Sequence, residues 1–270
     1  MLKQRVITAF VLLLIFLSAL LLMPFGVFQA LVLVTFAIAS WEWTNLAGAK
    51  SSVVRLLYLV ALLVGVWFGW QAIIAADIAQ SFFVAVAVWW TIALLWVQGY
   101  PSSVIFWQSS VVRLAMGILT LVPAGIAVLH VHSLAGGKWL ILALLLIVAS
   151  ADTGAYFTGK AIGRRKLAPK VSPGKSWEGV IGGLLLVTVI AIIYSVLQAK
   201  PWFTGLLIAL PAAAVSVLGD LFESMLKRHR GIKDSGVILP GHGGVLDRID
   251  GITAAAPIFA LALITSPWGW

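Results

Sequence analysis

Long apolar runs, separated by short polar connections, constrain this chain more than any other feature. A helix needs about 20 mostly apolar residues to cross a bilayer. Nine such runs can be read, at 6–23, 27–47, 54–71, 75–97, 111–131, 138–158, 177–198, 203–226 and 251–267. The first follows Lys3 and Arg5 as a signal peptide would, but no small-residue cleavage site precedes Pro24, so it is read as a helix. Only 10% of residues are charged and mean hydropathy is +1.09, against about a quarter charged in ordinary soluble domains. The expected fold is therefore all-α: a polytopic integral membrane protein with about nine transmembrane helices. Trp41, Trp43, Trp96 and Trp107 fall near predicted span ends, as an interfacial belt would.

Charge sets an expected orientation. With the N-terminus in the cytoplasm and spans alternating, Lys3, Arg5, Lys50, Arg55, Arg113, Lys160, Arg164, Arg165, Lys166, Lys170, Lys175, Lys227, Arg228, Arg230, Lys233 and Arg248 fall on the cytoplasmic side. Only Lys138 and Lys200 fall outside, and so does the C-terminus. This is the asymmetry that bacterial inner-membrane proteins carry. The net charge of +9 is thus a matter of topology and lipid headgroups rather than of nucleic acid, which is not expected as a partner. The chain divides into residues 1–135, a helical scaffold with plain loops and possible dimer contacts, and 136–270, a catalytic region with polar loops at 159–176 and 227–250.

The stretch Asp220–Asp250 is unlike its surroundings. Five of the nine acids lie there, Asp220, Glu223, Asp234, Asp247 and Asp250, among Lys227, Arg228, Arg230, Lys233 and Arg248. Carboxylates at a membrane edge are costly unless a cation or a reaction uses them. Asp220 and Glu223 are three apart and share a helix face, as do Asp247 and Asp250 where the chain re-enters the membrane. Cysteine is absent and only four histidines occur, so the expected metal is a hard cation on carboxylate oxygen, such as Mg²⁺. Carboxylates, Mg²⁺ and nearby bases suit phosphoryl-group chemistry, with Lys227, Arg228, Lys233 and Arg248 on phosphate oxygens. Gly243 and Gly244 leave room for close backbone approach by a ligand. His242 is a phosphate contact before it is a base, because a phosphate monoester is already ionised near neutral pH, with a second pKa of about 6. A network of structural ion pairs would explain the charge balance, but not the crowding of two glycines, His242 and two aspartates.

Two further segments carry chemistry. Asp152 lies about two turns inside the end of its span, a functional position by default, with an ion pair to Lys160 as the plainer alternative. Lys170 to Gly179 contains Gly174-Lys175-Ser176. A phosphate-binding P-loop would need glycine where Pro169 stands, so that motif is excluded. The segment still enters a helix, capped by Ser172 or Ser176, whose free N–H groups suit an anion as well as they suit a headgroup layer.

The spacing Ser224-x-x-Lys227-Arg228, Lys233-Asp234-x-Gly236, Leu239-Pro240-x-His242-Gly243-Gly244-x-x-Asp247-Arg248-x-Asp250 resembles the full signature of the phosphatidate cytidylyltransferase, or CDP-diacylglycerol synthase, family. Asp152-Thr153-Gly154-Ala155-Tyr156 and Ser172-Pro173-x-Lys175-x-Trp177-Glu178-Gly179 are similar to further motifs of that family. The resemblance covers about residues 150–252; upstream it extends only to helical character. It implies transfer from CTP to phosphatidic acid, giving CDP-diacylglycerol and pyrophosphate, with Mg²⁺, a nine-helix membrane fold and a homodimer; the charge count puts the expected active site on the cytoplasmic side. By position it implies Asp220 and Asp247 as metal ligands supported by Asp250, around a paired site with a second cation, monovalent or divalent. The catalytic set is then Asp220, Asp247, Asp250 and Lys227. The substrate-binding set is Asp152, Ser172, Lys175, Glu178, Ser224, Arg228, Lys233, Asp234, His242, Gly243, Gly244 and Arg248. The alternative is a transporter or flippase for a phosphorylated lipid. Such a protein would place charges mid-membrane on broken helices, whereas these gather at one face.

Overall fold

A computed structural model of the chain describes residues 2–239, 241 and 243–266, side chains at 2–6 and 9 apart. His242 and the terminal residues 267–270 lie outside the described residues. The helices are α1 (Leu2–Leu21), α2 (Phe25–Ala47), α3 (Ser52–Ala76), α4 (Ala79–Gln98), the single turn α5 (Val104–Trp107), α6 (Ser110–Ser133) and α7 (Gly137–Ile162). Strands β1 (Lys166–Ala168) and β2 (Ser172–Ser176) follow, then α8 (Trp177–Leu197), α9 (Thr204–Arg230) and α10 (Leu246–Thr265). Among the described residues eight helices, α2 to α10 without α5, are long and apolar enough to cross a membrane. The first predicted span falls on α1, whose described apolar part, Phe10–Leu21, is shorter. The chain is an all-α, multi-pass membrane protein, with eight spans among the described residues where the sequence suggests nine.

Three boundaries differ from expectation, each for a local reason. α9 runs to Arg230, a turn beyond the expected end at 226, so Lys227, Arg228, His229 and Arg230 are helical. Positive side chains in a last turn are favoured by the carbonyl end of the helix dipole. The helix stops at Gly231, which is left-handed at φ 68° and donates its N–H to the Arg228 carbonyl, while Ile232 donates to Lys227. α10 begins at Leu246 rather than 251, so Asp247 and Asp250 sit in its opening turns. The loop at 159–176 is not irregular: β1 and β2 pair antiparallel, Lys166 with Ser176 and Ala168 with Ser172.

The predicted aromatic belt is also partly wrong. Trp43 and Trp107 are buried. Trp43 packs against Phe222 and donates its indole N–H to the Arg113 carbonyl at 2.8 Å. A tryptophan near a span end is drawn inward when a buried carbonyl can take its N–H.

One core runs through both halves of the chain. α10 packs most heavily on α9 and also on α6, α4 and α7. α7 and α8 make the tightest pairing, and small residues permit it. A Cβ on Gly154 would come 2.8 Å from the Gly182 carbonyl oxygen and 2.9 Å from the Gly183 Cα, and one on Gly183 would meet the Ala151 carbonyl. This crossing holds Asp152 beside the β-hairpin and the start of α8. Gly154→Val should therefore force α7 from α8 and destabilise the protein by about 1–3 kcal/mol, the usual cost of overpacking. A lowered melting midpoint of the purified protein in detergent would register it; an unchanged midpoint would mean that this contact is not close-packed.

Candidate active site

The site is built where the C-terminal end of α9 meets the N-terminal end of α10. Lys227 is its hub. Its ammonium donates to Glu223 Oε2 at 2.8 Å and to Asp247 Oδ1 at 2.7 Å, and all three side chains are largely buried. Glu223 lies one turn before Lys227 on α9, so the periodicity that put Asp220 and Glu223 on one face also delivers the base. The second oxygen of Glu223 is buried with no hydrogen-bond partner.

Asp247 is held on every side. Besides Lys227 it accepts from the backbone N–H of Ser235 at 3.0 Å and of Gly244 at 2.8 Å. Its carboxylate thus ties the turn before α10 to the start of the helix, as a carboxylate at a helix N-terminus does. Gly243 is left-handed at φ 82°, and a Cβ there would stand 2.9 Å from Asp247 Oδ2. The close approach that Gly243 permits is made by this aspartate and by Asp234, groups of the protein itself.

Asp220 faces another way. Its Oδ2 is 2.6 Å from the Lys175 ammonium, and its Oδ1 accepts from Ser224 at 3.1 Å. It lies within electrostatic range of Asp250 and of Asp152. Asp152, Ser172, Gly174, Lys175 and Asp220 line one cavity of about 510 Å³, together with Lys160, Tyr156 and Ser176. The structure therefore brings the 170s segment and the aspartate of α9 together as facing walls. Ser176, not Ser172, caps α8: its Oγ accepts from the Gly179 N–H at 3.1 Å.

Other expected residues have partners away from this cavity. Glu178 accepts the backbone N–H groups of Arg164 and Arg165 at 3.1 Å each and so fixes the entry to the hairpin. Arg228 Nε donates to the Val171 carbonyl at 3.1 Å, binding the end of α9 to the same hairpin. Lys233, Asp234 and Arg248 are exposed.

Among the described residues no three carboxylate or imidazole groups form a ready-made cation cluster. The donor chemistry nonetheless fits a hard cation. Asp220 repels both Asp250 and Asp152, one buried Glu223 oxygen lacks any donor, and among the described residues Lys175 pairs with Asp220 and Lys227 with Glu223 and Asp247. Asp250 accepts from the backbone N–H of Gly251, and Asp220 from Lys175 and Ser224.

Sequence reasoning overlooked Glu42. It is buried on α2, far from the signature, yet it accepts from Leu246 N–H at 2.7 Å, Val245 N–H at 3.1 Å and Ser235 Oγ at 3.4 Å. A carboxylate inside a predicted span was signal enough to mark it. Asn45 and Arg113 were overlooked too. Asn45 Nδ2 donates to the Ser235 carbonyl, and the Asn45 backbone carbonyl accepts from Arg230 Nε. Arg113 is buried and satisfied by the Ala47, Trp107 and Gln108 carbonyls, Ser110 and His229.

A cavity with facing lysine and aspartate, beside further carboxylates, suits phosphoryl-group chemistry better than carriage. The model of the cytidylyltransferase family matches residues 3–266, and the chain belongs to that family. It is 46% identical over 277 residues to a phosphatidate cytidylyltransferase of Pseudomonas aeruginosa, covering 100% of this chain and 99% of the relative. It is 44% identical over 285 residues to a Haemophilus influenzae protein of the same name, covering 96% and 98%. A Bacillus subtilis protein of that name is 47% identical over 124 residues, 44% of this chain and 46% of its own.

The two lysines should separate in experiment. Lys227→Met leaves Glu223 and Asp247 buried without their base and should cost about 3–5 kcal/mol of stability. Lys175→Met breaks a partly exposed pair and should cost at most about 1 kcal/mol, yet strip a cation from the cavity wall. Thermal melts of both variants, run beside turnover, check this; equal loss of stability would refute the burial argument.

Proposed function

We propose that this chain catalyses cytidylyl transfer from CTP to phosphatidic acid, releasing pyrophosphate and leaving CDP-diacylglycerol in the membrane. The observation that carries the reading is end-to-end similarity to relatives named for that activity. It is supported by the cavity that sets Lys175 against Asp220 at the membrane edge.

The phosphatidate oxygen attacks the α-phosphorus of CTP. A new P–O bond forms, the α–β anhydride bond breaks, and the electron pair leaves with pyrophosphate. The nucleophile is already an anion near neutral pH, so no side chain need remove a proton. Lys175 exchanges Asp220 for a phosphate oxygen, and Ser172 and Asp152 complete that wall. Arg228, Lys233 and Arg248 steady the departing pyrophosphate, whose charge they match. Lys227 holds Glu223 and Asp247 in register, and Ser224 orients Asp220. Asp220 and Asp247, supported by Asp250, would hold Mg²⁺, which would supply charge neutralisation at the phosphates.

The reading extends to topology and assembly. The site lies on the cytoplasmic side of a bacterial inner membrane, because the bases gather on the side where the signature falls. Two copies associate, with residues 1–135 in the contact, as the family resemblance implies.

Purified protein given phosphatidic acid and each of the four nucleoside triphosphates should release pyrophosphate with CTP alone, and lose that activity when EDTA removes Mg²⁺. Pyrophosphate release with no preference for CTP would sink the proposal. Asp220→Asn and Asp247→Asn should each lower turnover by roughly 100-fold or more while the protein still inserts and folds. Near-normal turnover in Asp220→Asn would remove it from the metal and substrate assignment.

A further inference from the structure

Glu42 takes no part in the reaction as derived, yet its carboxylate is where the N-terminal helices meet the turn that carries Asp247. Both its oxygens are used. Oε1 accepts from Val245 N–H, and Oε2 accepts from Leu246 N–H and Ser235 Oγ. Val245 and Leu246 immediately precede Asp247, whose own carboxylate accepts from Ser235 N–H and Gly244 N–H. One short turn is therefore gripped by two carboxylates, one from α10 itself and one from α2.

The glycines of the turn fit the same account. A Cβ on Gly244 would stand 2.6 Å from Glu42 Oε2, and one on Gly236 would meet Glu42 Oε1. The backbone wraps around the Glu42 carboxylate closely enough to exclude any side chain at either position. Free N–H groups at the start of a helix want an acceptor, and here α2 supplies it as a buried carboxylate. A buried acceptor with three donors is rigid, and losing it leaves those donors unsatisfied.

We propose that Glu42 is a positioning residue for the transfer reaction: from the N-terminal half, it sets the orientation of Asp247 through the Ser235–Leu246 turn. This rests on the cytidylyl-transfer reading above. It also makes α2 part of the catalytic apparatus rather than membrane scaffold alone. Glu42→Gln is isosteric but turns one acceptor into a donor facing backbone N–H groups. Glu42→Asp keeps the charge and shortens the reach.

The test uses the full chain in detergent and measures kcat, KM for CTP, the folded fraction and amide hydrogen exchange across 235–247. Misplacing a reacting group by about 1 Å costs on the order of a hundredfold. Glu42→Gln is therefore expected to lose 10- to 100-fold in kcat per folded molecule. KM for CTP should stay within about threefold, since Asp152, Ser172 and Lys175 stand on other elements. Amides 244–246 should exchange faster than in the wild type while those of α7 and α8 do not, and Glu42→Asp should recover part of kcat. Wild-type kcat per folded molecule in Glu42→Gln overturns the proposal and leaves Glu42 a stability residue only. Unchanged exchange at 244–246 overturns it independently of activity. If the wild type forms no CDP-diacylglycerol, the functional reading fails, while the exchange data still report whether Glu42 holds the turn.

Discussion

The ammonium of Lys227, shared between Glu223 and Asp247, is the contact on which the rest of the site depends. Two buried carboxylates this close would repel and unfold the junction of α9 and α10 without it, because a buried charge must be paired. With it, two helix ends of opposite dipole meet: bases close α9 and an acid opens α10. The turn between them is then short of freedom, since Asp247 also takes two of its backbone N–H groups.

Around that junction the protein is organised as two walls and a brace. The β-hairpin and the start of α8 form one wall, pinned by Glu178 to its own entry and by Arg228 to α9. Asp220 and the carboxylate cluster form the other, and Lys175 spans the gap. The brace comes from α2, through Glu42, Asn45 and the carbonyls that accept from Arg113 and Arg230. The most polar loop of the chain is thus fixed by residues about 200 positions away. A pair of aspartates at a membrane surface would otherwise ride on a mobile loop, and catalysis by positioning needs rigidity.

The segment where the acids and bases of the site collect was legible in the sequence because it depends on local composition. The helical repeat places Asp220 and Glu223 one turn apart on α9, although they turn to different lysines, while Asp247 and Asp250 lie ahead of the apolar run, in an opening turn that the run did not mark. The pairing of the 170s segment with Asp220 was legible only as an expectation that another wall exists. Its detail was not, because a five-residue strand in a polar loop carries no apolar alternation to read. Gly244 invited a ligand-contact reading that the fold answers differently: the groups filling the place of a side chain there are Ser235 and Glu42. Glu178, singled out for substrate, spends both oxygens on backbone N–H groups beside it.

By itself the sequence determined the membrane class, the helix count to within the first span, and the segment where charge collects. Hydropathy and helical periodicity are properties of neighbouring residues, so these needed no partner. Only the tertiary structure decided which donor each carboxylate meets: Lys175 for Asp220, Lys227 for Glu223 and Asp247, and the start of α10 for Glu42. Those choices are set by how α2, α9 and α10 pack, and a hydrogen bond across 204 positions leaves no periodic trace in the chain.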